Sequence, residues 1–422
     1  MNYPESVRFL YALGNEVKTA KLGLDRIAAL LARLGDPHRA CRFVHVAGTN
    51  GKGSVCAMIE SALRTAGQRT GLFTSPHLVE PTERIRIDGE PVDPGLFARA
   101  FNQVHREAEA LLAEGSLDFH PTYFETVTAM AFVLFRDLGV ETAVLEVGLG
   151  GRLDATNVVT PTLCVITPVD FDHEAFLGRS IEAIAAEKAG ILKSGVPAVI
   201  AVQRPGILEF LEERAAVAGT SVRPAGDWEV RDLDFDRRGS RFLAVGAARI
   251  PVECPLAGEH QVMNALTAVA ALYEMGVPGD RITEGIRRAA WPGRLECVSE
   301  QPEIILDGAH NPSGARALAG HIRRFYHGRR VRLIYGCMRD KAVTEMAGIL
   351  FPLADEVILT AADSPRSIRP QALRELVDHP CIQVTANLRE ALRFMDGAAS
   401  QDAFFITGTL FLVGEARALL VK

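Results

Sequence analysis

The apolar positions of this chain fall into two rhythms. Short continuous apolar runs that stop at glycine, proline or polar clusters read as buried strands, and longer stretches with apolar residues three and four apart read as helices. Residues 4–34 predict two helices, with Leu24, Ile27, Leu30, Leu31 and Leu34 on one packing face. A strand over 43–47 runs into a glycine turn and then a helix carrying Val55, Met58, Ile59, Ala62 and Leu63. Further strands are predicted at 70–74, within 83–89, and at 142–147, 163–167 and 196–202; further helices at 94–113, 122–138 and 180–192. Between 228 and 252 the pattern changes to short alternating runs, a small antiparallel sheet turning at Arg238-Gly239 and Gly246.

A helix opening at Gly258-Glu259-His260-Gln261 carries Asn264, Ala265, Ala268, Ala271 and Leu272, and after one more helix Trp291-Pro292-Gly293-Arg294 breaks the pattern. A domain boundary is expected there, giving domains over 1–295 and 296–422. The remainder alternates strands (304–306, 331–335, 356–360, 382–384, 404–407) with helices (313–326, 342–350, 370–378, 387–396, 411–420). That alternation implies a mostly parallel, doubly wound sheet with right-handed connections. The expected fold class is α/β: a P-loop ATPase domain with a central, mostly parallel sheet plus a small antiparallel sheet, followed by a C-terminal doubly wound, Rossmann-like α/β domain.

Composition narrows the class. The 422 residues exceed one ordinary core, and 48% apolar with 23% charged content is that of a globular protein. A net charge of −6 offers no basic footprint for nucleic acid. The seven cysteines are odd in number and form no CxxC pair, so reduced thiols are expected. No apolar run is long enough to span a membrane, and the N-terminal stretch lacks a signal-peptide pattern, so a cytoplasmic monomer is expected.

The chemistry collects where predicted strands end. Thr49-Asn50-Gly51-Lys52-Gly53-Ser54 joins strand to helix. Such a turn stacks backbone N–H groups at a helix N-terminus, suiting phosphate, while Lys52 supplies a point charge and Ser54 a hydroxyl for Mg²⁺. Val46 stands where the general P-loop has glycine, and Gly53 separates the lysine from the hydroxyl. The next strand ends in Ser75-Pro76-His77-Leu78, at the edge where ligands bind in open α/β sheets. Glu146 ends an apolar strand before Gly148-Leu149-Gly150-Gly151, and a carboxylate there needs a partner or a metal. Asp172-His173 follows another strand, and Asp307-Gly308-Ala309-His310-Asn311-Pro312 ends the first strand of the second domain.

These motifs, together with Glu83-Arg84-Ile85, the 146–157 stretch EVGLGGRLDATN, Glu187-Lys188-Ala189-Gly190, Gly258-Glu259-His260-Gln261 and Pro292-Gly293-Arg294, stand in the order of the folylpolyglutamate/dihydrofolate synthase family of the Mur ligase superfamily, which the whole chain resembles. The resemblance implies an ATP-dependent amide ligase that adds L-glutamate to dihydropteroate, to the glutamyl tail of tetrahydrofolate, or to both, through an acyl phosphate. It implies that 49–54, Asn264, Arg294 and Asp307 meet ATP, and that Ser54, Ser75, Glu146, His173 and Lys188 surround one or two Mg²⁺ ions, with K⁺ a further candidate cation. It gives catalytic parts to Lys52, His173, Lys188, Asp307 and His310, and substrate contacts to Arg84, Phe124, Asp154, Ala155, His310 and Thr409. Lys188 matches a lysine that can be carbamylated. Two other readings stay open: a Mur-type peptide ligase of cell-wall precursor synthesis, against which Gly53 and the 307–312 loop argue, and a non-catalytic nucleotide-binding switch.

Overall fold

The computed structural model describes residues 1–14 and 23–421. Part of the helical pair expected over 4–34 therefore lies outside the described residues. Its flanks are α1 (Tyr3–Ala12) and α2 (Asp25–Arg33), and the latter buries Ile27, Leu30 and Leu31 as its spacing predicts.

The first sheet is built from β1 (Arg42–Ala47), β2 (Thr70–Phe73), β3 (Ile85–Ile87), β4 (Glu90–Pro91), β5 (Thr142–Glu146), β6 (Leu163–Ile166), β7 (Ala198–Ile200) and β8 (Val222–Pro224). Their order is β4-β3-β2-β5-β1-β6-β7-β8, parallel except for the β2-β3-β4 edge. The register decides what the sheet can do. Val46 lies opposite Glu146, Phe73 opposite Leu145 and Ala47 opposite Ile166, so four strands finish on one line. The loops that carry Lys52, Ser75, the 148–151 glycines and His173 all leave from that line.

Between the strands lie α3 (Lys52–Thr65), α4 (Pro94–Ala113), α5 (Tyr123–Asp137), α6 (Glu174–Leu177), α7 (Ile181–Ala189) and α8 (Ile207–Ala218). Local chemistry sets their starts. The Asp93 carboxylate accepts from the N–H groups of Gly95 and Leu96, and Thr122 with Glu125 forms a capping box at α5. One apolar layer packs α1, α2, α4 and α5 on one face of the sheet. The other face carries α3 together with α9 (Glu259–Glu274) and α10 (Gly279–Arg287). The expected antiparallel sheet forms from β9 (Glu229–Phe235), β10 (Ser240–Val245) and β11 (Arg249–Cys254) and packs on the same face.

The third sheet comprises β12 (Glu296–Glu300), β13 (Glu303–Leu306), β14 (Val331–Tyr335), β15 (Glu356–Leu359), β16 (Ile382–Val384) and β17 (Ala403–Thr407), in the order β12-β13-β17-β14-β15-β16. All its pairings are parallel except β12 with β13. Five elements go beyond the expected set: β4, α6, α8, β8 and the antiparallel edge strand β12. Three helices stop two residues or more short of the expected end, among them the one predicted over 370–378, which ends at Leu376. The one predicted over 180–192 ends at Ala189, and the one over 387–396 gives way to a 3₁₀ turn at Arg393–Met395. The seven cysteines are free. Among the described residues no helix is long and apolar enough to cross a membrane.

Candidate active site

One cavity lies where the strand ends of the first sheet face those of the third, with α9 and the 291–294 turn closing its side. The glycine loop after β1 forms its floor. Gly51 stands at φ +84°, and a Cβ there would fall 2.3 Å from the Asn264 side-chain oxygen, so only glycine lets the loop turn against α9. Gly53 lies under the Trp291 ring, 2.6 Å from where a Cβ would sit. That contact explains why glycine, and no hydroxyl residue, follows the lysine in this loop. The loop is braced from behind by the N–H groups of Thr49 and Asn50, which donate to Pro168 O at 2.9 and 3.3 Å, and by the Thr49 hydroxyl, which donates to Asp170 O at 2.9 Å.

Two lysines meet over this loop. Lys52 Nζ donates to Gly48 O at 3.1 Å and Thr49 O at 3.2 Å; Lys188 Nζ, from α7, donates to Gly48 O at 2.8 Å. Lys188 is 4% exposed. Its burial, with the Lys52 charge beside it, pulls its pKa down to about 7. Glu146 ends β5 in the same space, and one of its oxygens accepts from the Ser75 N–H at 3.1 Å. Burial raises its pKa and the Lys52 charge counters part of that rise. Ser54 opens α3, and its oxygen accepts from Gln261 at 3.2 Å, while Gln261 in turn accepts from Asn264 at 2.9 Å.

The loop after β13 comes from the opposite side. Asp307 accepts from the N–H groups of Leu295 and Ala309, both at 3.0 Å, and so ties the 291–295 turn to its own strand end. His310 Nδ1 donates to Gly308 O at 2.8 Å, leaving Nε2 facing Asp172 at 3.7 Å. Burial holds both His173 and His310 neutral, with pKa values lowered to about 4.

Asp172 is a centre that the sequence did not single out as a site residue. Lys341, which follows β14, donates to it at 2.5 Å, and Asn311 donates to both Asp172 and Asn50, at 3.2 and 3.0 Å. Burial alone would raise the pKa of Asp172. Lys341, followed by the two imidazoles, outweighs burial and holds the carboxyl well below the usual carboxylate range. The depressed value means that the pair stabilises the folded chain fully above the unfolded pKa of about 3.9, and that this is lost as pH falls through the folded value. Asp172→Asn strands a buried ammonium, so a loss on the order of 3 kcal/mol is expected in urea unfolding at neutral pH. The difference from the wild type should persist to about pH 4 and close below it; equal stability of the two proteins at pH 7 would remove the pair from any structural account.

The expected site residues mostly converge on this cavity. Thr49 to Ser54, Ser75, Phe124, Glu146, Asp154, Ala155, His173, Lys188, Asn264, Arg294, Asp307, His310 and Thr409 all line it. Arg84 does not line it. Its side chain is buried, its Nε donates to His77 Nδ1 at 2.8 Å, and its guanidinium lies 4.9 Å from the Tyr123 ring centroid. Asp154 lines the wall with its oxygens already taken: they accept from Gly148, Leu149 and Thr156, which shapes the glycine loop after β5. Gln261 and Lys341 also line the cavity although the sequence reading gave them no part. Lys341 was findable by the strand-end rule that found His310; that it pairs with Asp172, 169 positions away, was not.

The donor chemistry suits a hard divalent ion. Glu146 with the hydroxyls of Ser54 and Ser75 gives oxygen ligands, and Mg²⁺ takes few protein ligands when phosphates and waters complete its shell. As an ammonium, Lys188 repels a cation; only as a carbamate would it join that set.

Comparison with known proteins identifies the family. Residues 46–272 match the Mur ligase middle domain, and residues 293–410 match the Mur ligase, glutamate ligase domain. The chain is 36% identical over 437 residues to a dihydrofolate synthase/folylpolyglutamate synthase of Mycobacterium tuberculosis, covering 94% of this chain and 89% of that one. It is also 36% identical to a probable bifunctional folylpolyglutamate synthase/dihydropteroate synthase of Haloferax volcanii, covering 99% of this chain and spanning about half (50%) of that longer protein. The solved structure of Escherichia coli FolC in complex with DHPP and ADP superposes with a TM-score of 0.89 at 31% identity, over 99% of this chain and 97% of that one. With both Mur ligase domains matched in order and relatives of one kind aligned across nearly its whole length, the chain belongs to the Mur ligase family, in its dihydrofolate synthase/folylpolyglutamate synthase branch.

Proposed function

We propose that the chain is an ATP-dependent amide ligase that joins L-glutamate to dihydropteroate, to a reduced folate, or to both. The observation that carries this reading is the convergence on one cavity of the glycine loop after β1 and the 307–311 loop after β13. A carboxylate does not condense with an amine at neutral pH, because oxide is a poor leaving group. Moving the γ-phosphoryl of ATP onto the carboxylate gives an acyl phosphate; the glutamate amine attacks its carbonyl carbon, phosphate leaves with the C–O electron pair, and the amine loses a proton. Catalysis of that sequence is mostly positioning and charge neutralisation.

In this proposal the loop amides and Lys52 hold the phosphates, and Asn264 and Arg294 flank the nucleotide. Phe124 and Ala155 bound the pterin side, while His310 and Thr409 face the incoming amino acid. Mg²⁺ would be held by Ser54, Ser75, Glu146 and His173, and when bound it supplies positive charge to the phosphates. Lys188 joins that shell as a carbamate. Residues 1–295 act as the ATP-binding unit and 296–422 as the unit that closes on it, in support of which the third sheet begins at Glu296. A monomer in a reducing cytoplasm completes the reading.

The test is phosphate release from ATP, crossed over dihydropteroate, tetrahydrofolate and a cell-wall muramyl precursor, each with and without glutamate. Release that needs both glutamate and a pteroate-type acid is expected. Release with the muramyl precursor, or independent of any acid, would overturn the proposal.

A further inference from the structure

Outside the cavity, where α4 connects to α5, three ligand-type side chains converge. His105 and Glu109 are one turn apart on α4, and His120 lies in the connection from α4 to α5. His105 Nδ1 is 3.4 Å from His120 Nε2, and Glu109 Oε1 is 3.8 Å from each of those nitrogens. A tetrahedral ion with bonds of about 2.0–2.1 Å sets its ligand atoms about 3.3 Å apart, so the three already stand close to that spacing. Among the described residues this is the group of histidine, cysteine and carboxylate side chains close enough to hold a metal.

The hydrogen bonding supports a cation at the centre. His120 Nδ1 lies 2.8 Å from Pro121 O, and only a protonated nitrogen can donate there. In that tautomer of the neutral ring, Nε2 is the nitrogen that faces the cluster with its lone pair, as in metal sites where a backbone carbonyl orients the ligating imidazole. The Glu109 carboxylate adds further acceptor lone pairs to the same space. His105 is held in place by Phe101, stacked at 5.4 Å between centroids, and by Phe9 at 4.5 Å edge-on. The Glu109 side chain is 55% exposed, so water can reach the open side and fill a fourth position.

We propose that His105, Glu109 and His120 form a binding site for a divalent transition metal of the zinc type. Two imidazoles and one carboxylate are a donor set that zinc accepts. The site has a mechanical purpose. His120 is separated by one residue from Thr122, which caps α5 and lines the cavity together with Phe124 and Glu125. An ion here staples the α4–α5 connection to α4 and fixes the start of the wall that holds Phe124.

The experiment uses the intact enzyme, stripped with EDTA, saturated with Mg²⁺ and ADP to occupy the main cavity, and titrated with CoCl₂ and then ZnCl₂. The wild type is expected to bind one more equivalent of Co²⁺ than the His105→Ala/His120→Ala double variant, with a visible d–d band that ZnCl₂ bleaches. ZnCl₂ should also raise the melting temperature of the wild type and leave that of the double variant unchanged. Because His105 packs between aromatic rings, Glu109→Gln serves as the second variant: its side chain is exposed, its metal-free melting temperature should match the wild type, and its Co²⁺ affinity should fall by about tenfold or more, at least the loss that removal of an outer-sphere partner causes. Equal cobalt stoichiometry and affinity in the wild type and Glu109→Gln would overturn the site.

Discussion

Lys52→Ala is expected to lower the turnover of ATP-dependent ligation by about a thousandfold or more, while the melting temperature moves by no more than a few degrees. The magnitude is that of removing a preorganised charge from a phosphoryl-transfer site. The small effect on stability follows from what the side chain touches: two carbonyls of its own loop, at 3.1 and 3.2 Å, at a partly buried position. A second consequence separates this variant from a merely damaged loop. The Lys52 charge helps to depress the pKa of Lys188, so its removal should let that pKa rise. Phosphate release followed against calorimetric melting gives the answer, and turnover near that of the wild type would show that the glycine loop does not hold the reacting phosphates.

Lys188→Ala is expected to be nearly inactive, and the wild type should depend on dissolved CO₂. Carbamate formation joins the lysine nitrogen to the carbon of CO₂ and releases a proton, so it needs the neutral amine. With a pKa near 7, the neutral fraction grows as pH rises through 7. Activation of CO₂-depleted enzyme by bicarbonate should therefore be strong on the alkaline side of neutrality and fade below it. An ordinary lysine, with a pKa near 10.4, would show no such window. Short carboxylates added to Lys188→Ala should restore part of the activity, and native mass spectrometry should find one CO₂ adduct on the wild type. A fully active alanine variant, or a wild type indifferent to CO₂ between pH 6 and pH 8, would leave Lys188 as a loop-bracing ammonium bonded to Gly48.

The strand-end rule made most of the cavity legible before any coordinates. Parallel strands in register deliver their loops to one edge, so Lys52, Ser75, Glu146 and His173 could be grouped although they are scattered over the chain, and the same rule placed His310 at the corresponding edge of the third sheet. Arg84 shows where the rule stops. A charged residue beside a strand looks available in the sequence, and nothing local reveals that His77 and Tyr123 enclose it. The ion pair of Asp172 with Lys341 was invisible for the same reason, since it depends on how two sheets meet. Among the elements, β12 escaped because it is a half-buried edge strand with a register shift between Cys297 and Ser299, which breaks the alternation that marks a strand. The helix Ile207–Ala218 was not predicted but was legible: Ile207, Leu211 and Ala215 recur every fourth position between Gly206 and Gly219.

The bond from Asn311 to Asn50 bears on how occupancy of the cavity is reported. Asn50 belongs to the glycine loop after β1, and Asn311 caps the helix that follows the loop of Asp307 and His310. A ligand that shifts one of these asparagines must shift the other, or break the bond. Binding on the two sides of the cleft is then thermodynamically linked, and such linkage is symmetric. Whatever factor the nucleotide imposes on affinity for the amino acid, the amino acid must impose on affinity for the nucleotide. Nucleotide titrations with and without the second ligand therefore measure the coupling free energy between the two loops that this bond joins.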